Sequence, residues 1–141
     1  MRKARIMVFG TFDGLHAGHL NFFKQAKKLA KNSFLIVSIA RDKNVKKIKG
    51  RLPVFKERER VKLIKNSEGV DRVVLGGDKN HLPHILKERP TIIGLGYDQR
   101  DYVKNLKNDL KKMGLLVKIV RLEPFKENIY KNHLLKKKNK K

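Results

Sequence analysis

Two histidines three residues apart, His16 and His19, follow directly on the run Gly10-Thr11-Phe12-Asp13-Gly14. Side chains three apart at a helix start share one face, and an imidazole N–H is a good donor to a phosphate oxygen on which charge is building. The same pair could also contribute to a metal site. Gly10 and Gly14 let the backbone turn tightly and come close to a ligand, while Gly18 keeps the helix start free of side-chain bulk. Free N–H groups and the positive end of the helix dipole complete an anion site there. Strand, glycine-rich turn, paired histidines and helix in this order point to phosphate binding. His16 and His19 are the catalytic candidates, Gly10, Thr11, Phe12 and Gly18 are expected against the ligand, and Asp13 reads as a turn residue.

A site of this kind needs a strand to deliver the turn. Five short apolar runs rich in β-branched residues recur along the chain: Ile6 to Phe9, Phe34 to Ala40, Arg72 to Leu75, Thr91 to Leu95 and Leu115 to Val120. Between them lie segments of helical period, marked by Leu20, Phe23, Ala26 and Ala30, by Val61 to Ile64, by Leu82 to Leu86, and by Val103, Leu106 and Leu110, the last with Gly114 as its C-terminal cap. The strands are apolar through their length, which predicts a parallel sheet covered on both faces. The expected architecture is an α/β, Rossmann-like, doubly wound five-stranded sheet that binds its ligand at the C-terminal strand ends. Residues 1–125 should form the domain, and 126–141 a C-terminal helix and lysine-rich tail. The charged stretch Arg41 to Phe55 is expected to be a long functional loop.

That loop supplies cations. Lys49 and Arg51, with Arg60 at the start of the next helix, should gather over the same strand ends. The fourth strand runs into Gly94-Leu95-Gly96-Tyr97-Asp98, where a glycine allows close approach of a nucleoside and Asp98 can accept from ribose or base.

Composition narrows the classes. The 141 residues carry a net charge of +23, with 40% apolar and 35% charged residues, so a folded body with an anionic partner is expected. Six of the last eleven residues are lysine, yet the excess extends over the whole chain. The absence of cysteine excludes a disulfide framework, cysteine zinc sites and a thiol nucleophile. The longest apolar run, Phe34 to Ala40, is far short of the roughly 20 residues that span a bilayer, and the expected setting is the cytoplasm, without a membrane partner.

Gly10-Thr11-Phe12-Asp13 followed by His16-Ala17-Gly18-His19 resembles the signature of the cytidylyltransferase-like nucleotidyltransferases. The resemblance implies transfer of AMP or CMP from ATP or CTP to a phosphate monoester with release of pyrophosphate, Mg²⁺ travelling with the triphosphate, and a homodimer. It also implies phosphate-binding roles for Lys49, the third catalytic candidate, and for Arg60, with Arg51 expected beside them, a nucleoside-holding role for Gly96 and Asp98, and a triphosphate role for Arg121. Asn132 and His133 stand where the family has two hydroxyl residues. Ala40-Arg41-Asp42-Lys43, Lys49-Gly50-Arg51 and Leu95-Gly96-Tyr97-Asp98-Gln99 together are most similar to archaeal-type FAD synthases, which adenylylate FMN, over about Arg5 to Arg121. The C-terminal cysteines common in that group are missing. A glycerol-3-phosphate cytidylyltransferase is the alternative within the family, although Gly-Tyr-Asp here replaces its Gly-Asp-Asp. A binding protein for nucleic acid or another polyanion, with the fold but not the reaction, is the alternative of another class. A flavin acceptor would call for an apolar slot, with Phe12, Phe22, Phe55, Tyr97 and Phe125 as candidates.

Overall fold

In the computed structural model, which describes residues 3–77, 81–96 and 105–124, strands and helices alternate along the chain. They run β1 (Ala4–Gly10), α1 (Ala17–Lys27), β2 (Ser33–Ile39), α2 (Asp42–Lys49), α3 (Glu57–Lys65), β3 (Arg72–Leu75), α4 (His81–Glu88), β4 (Ile92–Leu95), α5 (Leu106–Lys112) and β5 (Lys118–Arg121). All strands pair in parallel in the order β3-β2-β1-β4-β5. The order reverses at β1, whose Val8 lies between Val37 of β2 and Gly94 of β4.

The pleat of β1 explains why its sequence is apolar throughout. Ile6 and Val8 point to one face, against Phe23 and Ala26 of α1 and Ile64 of α3. Met7 and Phe9 point to the other, against Ile85 of α4 and Leu106 and Leu110 of α5. Residues 6–8 are fully buried, as a strand packed on both faces must be. No helix among the described residues is long and apolar enough to cross a membrane. The expected domain boundary at residues 125–126 and the tail beyond it lie outside the described residues.

The stretch from Arg41 to Phe55 corrects one expectation: its first half is not loop but helix α2. A single apolar side chain of α2, Val45, is buried, so no hydrophobic period announces the helix. Its start is fixed from a distance. The Asp42 N–H donates to Glu57 Oε1 at 2.9 Å, and the Glu57 N–H donates to Asp42 Oδ2 at 3.1 Å, so the first residues of α2 and α3 cap one another. Gly50, at φ 79°, ends α2. What remains of the loop is residues 50–56.

Helix α5 ends as its sequence predicts. Gly114 adopts φ 87°, its N–H donates to the Lys111 carbonyl at 3.0 Å, and the Leu115 N–H reaches back to the Leu110 carbonyl at 2.9 Å. This pair of bonds closes the helix and turns buried Leu115 into the core. A side chain at position 114 would be strained in that conformation. Gly114→Ala should therefore cost about 1 kcal/mol and lower the thermal midpoint by a few degrees in calorimetry, with the fold unchanged.

Candidate active site

The turn between β1 and α1 is built around an aromatic ring. Phe12 sits at φ 51°, a costly conformation for a residue with a side chain, and is almost wholly buried. Its ring packs on Phe23 at 5.3 Å between centroids and meets His19 edge-on at 5.2 Å. A Cβ on Gly10 would fall 2.6 Å from Cε2 of that ring. Gly10 is thus required by Phe12, whatever approaches from outside, and Phe12 acts as core and as a wall for His19. Of the two residues expected against the ligand, Phe12 places its side chain in the core, and Gly10 stays partly exposed at the end of β1.

His16 is the N-cap of α1 and its Nδ1 accepts from the Gly18 N–H at 3.0 Å. His19 reciprocates, its Nδ1 accepting from the His16 N–H at 3.3 Å. A backbone N–H can only donate, so both Nδ1 atoms must be unprotonated acceptors, and each neutral ring carries its proton on Nε2. The rings stack, 3.7 Å between centroids and 22° apart in plane. Burial pushes His19 down to about 4, with the neighbouring His16 adding to the effect and a hydrogen bond to the Gly14 carbonyl opposing it. At neutral pH His19 is a fixed, uncharged donor.

A cleft of about 150 Å³ opens beside this turn, lined by Thr11 and Asp13 from the turn, Val45 and Lys49 from α2, and residues 51–54 of the following loop. Thr11, Lys49 and Arg51 are thereby brought together. Asp13 organises them. Its carboxylate accepts from the Val54 N–H at 2.7 Å and the Phe55 N–H at 2.8 Å, fastening the loop to the turn. The Phe55 hydrogen bond is the largest cause holding the Asp13 carboxyl below its usual range; partial burial opposes it, and the Val54 N–H, Arg60 and Lys49 assist.

Arg60 is fully buried. Its Nε donates to the Phe55 carbonyl at 3.0 Å, one terminal nitrogen to the Thr11 carbonyl at 2.8 Å, and the other to Asp42 Oδ1 at 2.7 Å. Expected among the cations that touch phosphate, Arg60 instead directs its guanidinium at the protein and ties turn, loop and α2 together. On the other side of β1, Arg121 donates to the Gly96 carbonyl at 2.9 Å, joining the ends of β4 and β5. Gly18 contributes its N–H to His16. Asp98, Asn132 and His133 lie outside the described residues.

Of the aromatic candidates for an acceptor slot, Phe12 belongs to the core, Phe22 packs against Phe12 and Phe23, and Phe55 is exposed. Tyr97 and Phe125 lie outside the described residues. A second histidine pair, His81 and His84 on α4, went unremarked in the sequence. His84 Nε2 lies 2.8 Å from Ser38 Oγ and His81 meets Phe9 edge-on, which ties α4 to the sheet. A larger hollow of about 450 Å³ opens among Lys3, Arg5, Arg89 and Leu116, and none of the candidate site residues lines it. Among the described residues no three His, Asp or Glu side chains gather to hold a metal ion.

The family model described as cytidylyltransferase-like matches residues 7–139. The chain is 47% identical over 122 residues to an FAD synthase of Korarchaeum cryptofilum, covering 86% of this chain and 82% of that one. It is 36% identical over 134 residues to an FAD synthase of Thermoplasma volcanium, covering 95% and 92%. Among solved structures it resembles the lipopolysaccharide core biosynthesis protein from Thermoplasma volcanium, with TM-score 0.79 and 38% identity over 86% of this chain and 98% of that one. The pantoate-beta-alanine ligase of Francisella tularensis, at TM-score 0.57 and 17% identity over 85% and 59%, shares the fold alone.

Two measurements check this geometry. Arg60→Met strands the Asp42 carboxylate and two carbonyls, and should cost about 2–4 kcal/mol in urea denaturation, where an arginine used only on a ligand would cost almost nothing. Stability should also drain as the pH falls. An unfolded histidine protonates near 6.5 and folded His19 only near 4, so the neutral ring's contribution is whole above 6.5 and lost between the two values. An NMR titration should find the His19 ring midpoint near 4; a midpoint near 6.5 would contradict the stacked, buried setting.

Proposed function

The chain belongs to the cytidylyltransferase-like family and is a nucleotidyltransferase, and from that premise we propose that it transfers AMP from ATP to FMN, forming FAD and pyrophosphate. The observation that carries the reading is the stacked His16–His19 pair, with both Nδ1 atoms consumed by the backbone, the His19 Nε2–H on the Gly14 carbonyl and the His16 Nε2–H turned to a ligand. The relatives named FAD synthase support the choice of acceptor.

In this reading a phosphate oxygen of FMN attacks the α-phosphorus of ATP. The new phosphorus–oxygen bond forms as the bond to the bridging oxygen breaks, and pyrophosphate leaves with the electron pair. The attacking phosphate is already ionised, so no general base or covalent nucleophile is needed. His16 donates to the triphosphate as charge shifts toward the leaving group, His19 joins it by exchanging the Gly14 carbonyl for a phosphate oxygen, and Lys49 and Arg51 neutralise the leaving group. Asp98 and Gly96 hold the nucleoside, and Asn132 and His133 extend the triphosphate site from the C-terminal segment. Among the described residues the one carboxylate that lines this basic cleft is Asp13, which is spent on the loop, so the lining does not suit a resident Mg²⁺. Mg²⁺ therefore enters as part of the substrate, bound to ATP. A homodimer in the cytoplasm completes the proposal.

Pyrophosphate release by the purified protein, with ATP and CTP crossed against FMN, glycerol 3-phosphate and phosphocholine, tests it. Release with ATP and FMN, with FAD on a chromatogram, is expected. Release with CTP and glycerol 3-phosphate would replace the acceptor, and silence with tight, salt-sensitive RNA binding would replace the reaction. His16→Asn separates the histidine's two jobs, because asparagine still caps the helix but carries no Nε2–H. It should lower kcat about 10²- to 10³-fold at nearly unchanged stability.

A further inference from the structure

The loop that carries Arg51 holds apolar side chains out into water. Among the described residues, eight large apolar side chains are exposed, and four of them, Ile48, Leu52, Val54 and Phe55, fall within eight consecutive positions. Val54 is 85% exposed and Leu52 58%. Exposed apolar side chains gathered on one short, tethered segment point to a place where something binds. The loop is not free to fold it away: Asp13 holds the Val54 and Phe55 N–H groups, and Arg60 holds the Phe55 carbonyl. Leu52 and Val54 also line the cleft that contains Thr11, Lys49 and Arg51, so one small hollow joins cations to an apolar rim.

We propose that Leu52 and Val54, with Phe55 beside them, form the platform for the flat apolar ring system of the acceptor, with Lys49 and Arg51 in the same cleft where its phosphate meets the triphosphate. This rests on the acceptor reading given above. A ligand with an anionic end and an apolar plane matches both halves of the hollow. A second copy of the chain matches only one, since a partner that itself carries a net charge of +23 is a poor match for Lys49 and Arg51. In the same reading the nucleoside has its own side: Gly96 and Arg121 stand at the ends of β4 and β5, across β1 from the helix and loop that follow β2. The rim thereby selects the acceptor.

The test is the double variant Leu52→Ser/Val54→Ser, two exposed positions whose change leaves the core intact. The KM for FMN should rise about ten- to a hundredfold while the KM for ATP, the thermal midpoint and the sedimentation coefficient stay the same. Riboflavin, which keeps the ring and lacks the phosphate, should compete with FMN in the wild type and lose that competition in the variant, and flavin fluorescence titration reads the binding directly. If the wild type makes FAD and the variant has the same KM for FMN, the inference is overturned. It is equally overturned if the variant changes oligomeric state and both KM values move together, which would make the rim a contact between copies. A wild-type protein that makes no FAD is a separate failure, that of the acceptor reading, visible before any variant is made, and it removes the inference's ligand.

Discussion

A guanidinium buried without solvent must find its acceptors inside the protein, and Arg60 finds them on three separate segments. Removing a charge from water costs several kcal/mol, so the arrangement persists only while all its partners are in place. That requirement fixes the carbonyl of Thr11, the carbonyl of Phe55 and the carboxylate of Asp42 relative to one another. Asp42 in turn caps α3 and is matched by Glu57. The helix that ends in Lys49, the loop that carries Arg51 and the turn that carries the histidines are thereby locked into one unit. The cleft between them is a product of that lock.

The histidine pair follows the same logic on a smaller scale. Each ring gives one nitrogen to the backbone of the helix start, which fixes its position and the placement of its proton at once. Phe12 closes the far side of His19. Stacking and burial then keep His19 uncharged, so the proposed reaction meets hydrogen-bond donors whose orientation is set before any ligand arrives. The paired rings stand at the start of α1, and the cations of the neighbouring cleft are carried by α2 and by a loop tethered through Val54 and Phe55.

Much of this was legible in the residues, for definite reasons. The five strands and most helices declare themselves because their apolar positions repeat with the period of the structure, and the parallel sheet follows from strands with no polar face. Helix α2 does not, since its only buried apolar residue is Val45 and its start depends on Glu57, fifteen positions away. Asp13 reads as a turn residue because its partners, Val54 and Phe55, lie some forty positions off and offer only backbone, which leaves no mark in the sequence. Arg60 was visible as a cation near the right place. The direction in which it points was not, because a guanidinium drawn inward by carbonyls has the same sequence as one reaching outward. Lys49, Arg51 and Thr11 converge as their spacing suggested, because strand-end loops in this topology have one edge on which to meet.

The contact between Gly10 and Phe12 reaches into the history of the chain. A side chain at position 10 collides with the ring at position 12, and the ring at position 12 holds a backbone angle that few side chains tolerate while it supports His19. Either residue changed alone meets a penalty that the other imposes: a clash in one case, a hole behind the histidine in the other. Neither has a harmless first step. A side chain at position 10 becomes admissible only once the ring at position 12 has given way, and that opens the wall behind His19.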